Sequence, residues 1–158
     1  VRDALAGRAP GEGQGRIWLE RPPPVDWRPV RKPSFLLSGP GEPHQEIWFR
    51  FPPVASDDPL LHRVLLAYAS DLSLLDVIAR SHGLLPGRAM LASLDHALWF
   101  QRSARVDDWM LFVQESPAAA GARGLARGMI YTRDGRLVAS VAQEGLMRRV
   151  DALPRTGW

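Results

Sequence analysis

A single stretch of this sequence has the periodicity of a helix, and the other regular stretches have the composition of strands. Apolar residues recur at steps of three and four from Leu61 to Ile78, which predicts one long helix ending near His82-Gly83. Ser56-Asp57-Asp58-Pro59 supplies N-cap candidates and a proline for its first turn. A break near the middle of the helix stays an open alternative.

Strands are predicted on both sides of the helix. Ile47 to Phe51 is β-branched and aromatic, and it stops at a proline pair. After the helix come four antiparallel segments: Met90 to Phe100, Trp109 to Glu115, Ala122 to Thr132 and Leu137 to Met147. Asp134-Gly135 predicts a tight type I′ hairpin between the last two. The plan is an α+β fold, in which an antiparallel sheet wraps a long central helix and buries it on most sides.

Proline divides the chain into two regions. Of its 14 prolines, 11 precede residue 60. We therefore predict a linker or extended segment over residues 1–43, a folded domain over residues 44–150 and a tail over residues 151–158. Arg16 to Glu20 and Phe35 to Leu37 are the pieces of this linker that could lie extended on a neighbour.

The composition excludes several classes of protein. The 158 residues, 46% hydrophobic and 23% charged, suit one globular domain. The absence of cysteine excludes disulfides, thiolate zinc sites and cysteine nucleophiles. The four histidines are dispersed, so no metal is predicted, and the lack of a glycine-rich phosphate loop or dinucleotide motif predicts no cofactor.

Charge and hydropathy also limit the partners and the location. No apolar run approaches the roughly 20 residues of a membrane span. All basic residues except Lys32 are arginines, but they are scattered and form no stripe for nucleic acid. The sequence Arg155-Thr156-Gly157-Trp158 is no peroxisomal address. We expect a cytoplasmic protein with no membrane span and no nucleic-acid partner.

Asp71 is the first candidate functional residue, because it shares the most apolar stripe of the predicted helix. It follows Val64 and Tyr68 by seven and three residues and precedes Leu75 and Ile78 by four and seven. A carboxylate there should be buried, and buried acids are enriched at active sites. The alternative is a helix break at this point, with the aspartate capping a second helix.

Gln143 is the second candidate, since it shares one face of the last strand with apolar residues and needs hydrogen-bond partners there. A bond to neighbouring backbone is favoured over a substrate role. Glu144 has the opposite parity and is predicted to be solvated or paired.

Ser93, Asp95 and His96 invite comparison with a nucleophilic triad, but neighbouring strand residues point to opposite faces, and no Gly-x-Ser-x-Gly elbow is present. His96 shares parity with apolar residues such as Leu94 and Leu98, which favours a satisfied core histidine.

Five blocks of the sequence together resemble the acyl-CoA thioesterase II family. In the family's order they are Ala69 to Leu72, Ala92 to Phe100, Ser116 to Gly124, Ile130 to Gly135 and Val138 to Gly145. Members of the family have two hotdog folds in tandem, each a long helix wrapped by an antiparallel sheet. This chain resembles only the linker and the second hotdog, over about residues 44 to 149, so the resemblance implies a hotdog fold for residues 44–150.

The resemblance also implies a catalytic site made of Asp71, Ser93 and Gln143. In the family, an aspartate, a hydroxyl residue that is usually threonine, and a glutamine hold a water that attacks the thioester carbonyl without a covalent intermediate. The carboxylate accepts the proton of the water, and the hydroxyl and amide fix its direction. Gln101-Arg102-Ser103 stands where the family commonly has His-Arg-Pro, and His96 is left out of the predicted catalytic set.

Coenzyme A carries phosphates, which makes Arg102, Arg123 and Arg127 candidate substrate-binding residues, with a structural or solvated arginine as the alternative at each.

The implied function is hydrolysis of fatty acyl-CoA to a free fatty acid and CoA, with this chain as the C-terminal half of the enzyme. The alternative is a catalytically silent acyl-CoA-binding or assembly module. A lone hotdog exposes the face that normally meets its twin. We therefore expect pairing with a second hotdog domain, from an N-terminal half or from another copy in a homo-oligomer.

Overall fold

The structure is a computed structural model that describes residues 24–33, 37, 39–84 and 89–149. In these residues seven strands form one antiparallel sheet of order β1-β2-β5-β6-β7-β3, and β4 also pairs with β7. The strands are β1 (Asp26–Pro29), β2 (His44–Arg50), β3 (Ala89–Ser93), β4 (Ala97–Phe100), β5 (Met110–Ala120), β6 (Arg123–Thr132) and β7 (Leu137–Arg149). The helices are α1 (Pro59–Asp71) and α2 (Leu74–Arg80). The predicted α+β fold is confirmed.

β1 lies inside the segment that the proline content marks as a linker. It pairs antiparallel with β2, and the rings of Trp27 and Phe49 lie 5.7 Å apart. Its four residues are too few to show an alternating pattern, and Pro29 is tolerated because β1 is an edge strand. The linker prediction therefore missed one strand of the sheet. The pieces Arg16 to Glu20 and 35–36, and the tail over 151–158, lie outside the described residues.

The predicted helix is present with a break at Leu72 and Ser73. Asp58 caps α1, because its Oδ1 accepts the Leu60 N–H at 2.9 Å and Pro59 follows it directly. Ser73 is the N-cap residue of α2. The sequence left open whether the helix is continuous or broken near its middle. The structure has the break, and it begins at Leu72, the residue after the end of α1.

A buried amide pair holds the break against the sheet. Gln114 on β5 donates from Nε2 to Ser73 Oγ at 2.6 Å. Gln45 on β2 donates from Nε2 to Gln114 Oε1 at 2.7 Å and to the Ser73 carbonyl at 3.2 Å. All three residues are buried, so their polar groups depend on one another. This cluster fixes where α1 ends and therefore where Asp71 stands.

Glycines allow α2 to lie close to the sheet. Gly124 and Gly145 are direct partners across β6 and β7. A Cβ on Gly124 would collide with Ile78, and a Cβ on Gly145 would collide with Leu75. The two α2 side chains occupy the space that strand side chains would otherwise fill. As a result α2 is buried against the sheet, whereas α1 exposes Leu60, Val64 and Tyr68, so burial of the helix on most sides holds only for α2.

The two hairpins that join β5, β6 and β7 differ in turn geometry. At Asp134-Gly135 only the glycine has positive φ, at 85°, and the Gly135 N–H donates to the Thr132 carbonyl at 2.9 Å. The predicted hairpin is confirmed, but it is not type I′, which needs two residues with positive φ. That geometry occurs between β5 and β6, where Gly121 and Ala122 have φ of 58° and 61°.

Candidate functional site

The edge strand that pairs with β7 is interrupted by a short irregular segment between β3 and β4. β3 and β4 both pair with β7, and between them Leu94, Asp95 and His96 stand opposite only Gln143 and Glu144. This extra residue is a bulge, which reverses the side-chain parity of the strand beyond it. The Glu144 N–H donates to the Asp95 carboxylate at 2.7 Å, so a side chain replaces the missing backbone acceptor. Asp95 is therefore bound to β7 backbone, in keeping with the sequence argument against a triad.

The bulge brings three side chains into one hydrogen-bonded group. Gln143 is fully buried and donates from Nε2 to Ser93 Oγ at 2.6 Å. Its Oε1 lies 2.7 Å from His96 Nδ1, which must be the donor because the amide oxygen carries no hydrogen. The predicted burial of Gln143 is confirmed, but its partners are side chains rather than backbone.

The other nitrogen of His96 contacts α1. Nε2 lies 2.9 Å from the hydroxyl of Ser70, a fully buried residue, and that hydroxyl is also 2.8 Å from the Ala67 carbonyl. The imidazole therefore bridges the end of α1 to β7. Both ring nitrogens have hydrogen-bond partners, as predicted for a satisfied histidine, but the side chain is 24% exposed, so the prediction that it lies in the core is wrong. The error arises because Leu94 and Phe100, which share the parity of His96, are themselves exposed at the edge of the sheet, so this apolar series is not part of the core.

Asp71 is the last residue of α1, and its Oδ1 lies 3.8 Å from His96 Nδ1. Its side chain is 55% exposed, so the prediction of a buried carboxylate is wrong. Val64 and Tyr68 share its stripe and are exposed as well, whereas Leu75 and Ile78 lie beyond the helix break and face the sheet. The alternative of Asp71 as a helix cap is also wrong, since Ser73 occupies that position.

A cavity of about 400 Å³ joins these groups. Asp71, Ser93 and His96 line it, together with apolar side chains that include Tyr68, Leu72 and Leu94. A carboxylate and a hydroxyl thus line the same cavity, and the hydroxyl oxygen already accepts a hydrogen bond from a buried amide. In the residues that the structure describes, no group of three or more acidic or histidine side chains could hold a metal ion.

His96 and Ser70 are the members of this site that the sequence argument did not select. The signal for His96 was the polar series Ser93, Asp95 and His96 within a short strand segment, since aspartate is disfavoured in regular strands; Ser70 had no such signal. Such a series indicates an irregular edge, where the side chains no longer alternate. The predicted pairing of Glu144 agrees with its position 3.6 Å from Arg123 Nη1.

None of the three candidate arginines lines this cavity. Arg123 contacts Glu144, and Arg127 Nη2 lies 2.6 Å from Glu115 Oε1. Arg102 donates to the Leu137 carbonyl at 3.2 Å. The substrate-binding role of all three stays a prediction.

Three carboxyl groups outside the cavity have lowered pKa values. A hydrogen bond from His44 is the main cause at Glu46, and a hydrogen bond from the Thr132 hydroxyl is the main cause at Asp134. Hydrogen bonds from Arg105 lower the pKa of Asp107 to about 2. These carboxylates stabilise loops and strand ends.

An apolar surface adjoins the cavity and is called here the apolar edge surface. It consists of exposed large side chains on α1, in the bulge and on β4: Leu60, Val64, Tyr68, Leu94 and Phe100. Tyr68 and Leu94 also line the cavity, so the surface is continuous with the site. Exposed apolar clusters of this kind occur at interaction sites and along ligand-binding grooves.

Comparison with known proteins agrees with this geometry. A family model described as acyl-CoA thioesterase matches residues 20–146. The chain belongs to the acyl-CoA thioesterase family. Acyl-coenzyme A thioesterase 8 of Mus musculus is 36% identical over 126 residues, which are 79% of this chain and 39% of that protein. Acyl-CoA thioesterase 2 of Haemophilus influenzae is 36% identical over 131 residues, which are 82% of this chain and 45% of that protein.

Solved structures confirm the hotdog fold of this acyl-CoA thioesterase family member. The acyl-CoA thioesterase II TesB2 from Mycobacterium marinum is 41% identical with a TM-score of 0.71, over 92% of this chain and 56% of that one. A hot dog fold protein from Alicyclobacillus acidocaldarius, 18% identical, has a TM-score of 0.62 over 90% of this chain and 50% of that one. The chain spans less than half the length of the two curated relatives above. No helix in the described part of the chain is long and apolar enough to cross a membrane.

Proposed function

We propose that this chain carries the hydrolytic site of an acyl-CoA thioesterase, with Asp71, Ser93 and Gln143 as its catalytic residues. The observation that supports this most is the meeting of the Asp71 carboxylate and the Ser93 hydroxyl at one cavity, with Gln143 bound to that hydroxyl. Membership of the acyl-CoA thioesterase family supports the reaction class.

In the proposed reaction, a water between Asp71 and Ser93 attacks the thioester carbonyl carbon. The carboxylate takes one proton from the water, and the Ser93 hydroxyl donates to the water oxygen, which directs a lone pair at the carbonyl. The tetrahedral intermediate then collapses, the carbon–sulfur bond breaks, and the proton held by Asp71 passes to the departing thiolate. The products are a carboxylic acid and CoA.

The proposed substrate is a fatty acyl-CoA. Tyr68, Leu72 and Leu94 give the cavity an apolar part next to the carboxylate, which suits an acyl chain beside a reacting carbonyl. Arg123 and Arg127 each contact a carboxylate, whereas Arg102 donates to a backbone carbonyl, so the charge of Arg102 suits a CoA phosphate best. We expect Arg102→Ala to raise KM for acyl-CoA more than Arg123→Ala does.

We also propose that the apolar edge surface packs against a second hotdog domain. The matched relatives are about twice as long as this chain or longer, which leaves room in them for such a domain. The exposed α1 side chains Leu60 and Val64 lie on the side that the sheet of this chain leaves uncovered.

Thiol release from a panel of acyl-CoA esters tests the reaction. Asp71→Asn removes the proton acceptor with little change in shape, and we expect turnover to fall by at least about 100-fold. Asp108→Asn, at an exposed carboxylate before β5, is the matched control and should keep wild-type turnover. Unchanged turnover in Asp71→Asn would refute the mechanism. Saturable acyl-CoA binding without thiol release would replace it with the silent binding module.

The pairing is tested by comparing this chain alone with a longer form that contains a second hotdog domain. We expect self-association of the chain alone, measured by sedimentation, and its loss in Val64→Glu, which places a charge on the apolar edge surface. A strictly monomeric wild-type chain with full turnover would refute the proposed pairing.

A further inference from the structure

A continuous series of hydrogen bonds connects α1 to the proposed catalytic hydroxyl. From the Ala67 carbonyl it passes through the hydroxyl of Ser70, both nitrogens of His96 and the amide of Gln143 to Ser93 Oγ. Every heavy-atom separation in it is 2.9 Å or less. Each of these contacts is a hydrogen bond only where one partner supplies a proton, and the Ser70 hydroxyl has one proton for its two contacts.

The position of the His96 proton follows from the contact of its ring with Gln143. Gln143 Oε1 can only accept, so His96 Nδ1 carries a hydrogen. The single proton of the Ser70 hydroxyl can serve the Ala67 carbonyl or Nε2, but not both, so the contact with Gln143 is the one that places the hydrogen on Nδ1. In a neutral ring with its hydrogen on Nε2, both Nδ1 and Gln143 Oε1 would be acceptors. The Gln143 amide would then have to rotate by half a turn to offer its Nε2 to the ring.

The direction of the Gln143 amide decides what Ser93 can do. With Nε2 toward Ser93, the amide donates to the serine oxygen, and the serine keeps its own proton for another partner. With the amide reversed, Oε1 would accept that proton, and the hydroxyl could no longer donate into the cavity. Only the first arrangement gives a donor for the water in the proposed reaction.

We propose that His96 is a positioning residue, whose Nδ1–H holds the Gln143 amide in the direction that leaves the Ser93 proton free for the reaction. This inference rests on the proposed function. The 3.8 Å between Nδ1 and the Asp71 carboxylate is longer than a hydrogen bond, so Nδ1–H is directed to the amide and leaves Asp71 able to accept a proton.

Two amide substitutions separate this role from simple space filling. His96→Asn puts an N–H donor near the position of Nδ1, whereas His96→Gln puts one near the position of Nε2. We expect His96→Asn to keep kcat within about threefold of wild type and His96→Gln to lower it by about 10- to 100-fold, with KM unchanged within about twofold. His82→Gln, at an exposed histidine, is the matched control and should change neither constant.

The activity measurements use this chain alone or the longer form with a second hotdog domain, whichever releases thiol with the wild-type sequence. Thermal unfolding verifies that each variant is folded. Equal losses of kcat in His96→Asn and His96→Gln would overturn the inference. So would a loss confined to KM.

A second measurement needs no variant and no activity. Two-bond ¹H–¹⁵N correlations of the imidazole rings identify which nitrogen of His96 carries the proton. We expect the Nδ1–H form, and a neutral ring protonated on Nε2 would overturn the inference. A chain that releases no thiol but shows the Nδ1–H form would refute the proposed function alone, so the two failures are distinguishable.

Discussion

Removing the charge of Asp107 tests how the loop before β5 is held against the segment that leads into α1. Asp107 accepts hydrogen bonds from Arg105 Nε at 3.1 Å, from Arg105 Nη2 at 3.0 Å and from the Val54 N–H at 3.1 Å. Arg105 also contacts Asp57 and donates to the Val54 carbonyl at 3.1 Å. The bonds that Arg105 and Asp107 make to Val54 and Asp57 therefore join two loops that are distant in sequence.

The pKa of Asp107 gives the size of the effect. Hydrogen bonds from Arg105 are the largest cause that lowers it from 3.8 to about 2. At about 1.36 kcal/mol per unit of pKa, this difference corresponds to at most about 2.4 kcal/mol. The Asp107 side chain is 15% exposed, but that of Arg105 is 40% exposed, and screening by water reduces the contribution to about 1 to 1.5 kcal/mol.

The pH dependence has a definite sign. The folded-state pKa lies below the unfolded one, so the stabilisation is fully present above about pH 4 and is lost as the pH falls toward 2. Asp107→Asn keeps the size of the side chain and an acceptor for Val54. We expect this variant to unfold more easily than wild type by about 1 to 1.5 kcal/mol at pH 7 and by almost nothing near pH 2.

Urea unfolding followed by circular dichroism at pH 7, 4, 3 and 2 measures this difference. Asp108→Asn, at the neighbouring exposed carboxylate, controls for the change in net charge and should track wild type throughout. A stability difference between wild type and Asp107→Asn that stays constant from pH 7 to pH 2 would refute the assignment of the stabilisation to this carboxylate.

Three other substitutions test the packing around the site, each by the free energy of unfolding in urea. Gly145→Ala places a methyl group against Leu75 and should destabilise the fold by about 1 to 3 kcal/mol; a neutral result would mean that α2 is free to shift. Ala122→Gly relieves a left-handed residue, with φ of 61°, and should stabilise the fold by about 0.5 to 1 kcal/mol, whereas a loss of stability would contradict the turn geometry. Gln114→Leu leaves Ser73 Oγ and the Gln45 amide without their partner and should cost about 2 to 4 kcal/mol, and a gain in stability would argue against the buried cluster.

Local patterns predicted much of the fold. The proline and aspartates before residue 60 marked the start of α1, and the period of the apolar residues carried the helical prediction through to α2. The residue of the break was harder to foresee. It depends on Gln45 and Gln114, which stand 28 and 41 residues from Ser73 and meet it only in the folded chain.

The proposed site shows the limit of parity arguments. Gln143 was predicted to be buried from alternation along β7, and alternation holds there because β7 is a continuous central strand. Alternation failed at His96, because Leu94 and Phe100, the apolar residues that share its parity, are exposed at an interrupted edge of the sheet rather than buried in the core. A bulge leaves only a weak trace in the sequence, here the polar residues Ser93 and Asp95 in a short strand.

The exposure of Asp71 links the error about its burial to the proposal of a second domain. A carboxylate that takes a proton from water works best where bulk solvent is excluded, yet this one is 55% exposed beside Tyr68, which is 46% exposed. The side chains that leave it open are apolar and continuous with the apolar edge surface. A second hotdog seated there would cover Tyr68 and the mouth of the cavity together. The stripe that suggested a buried Asp71 would then be buried after all, by another domain rather than by the sheet of this chain.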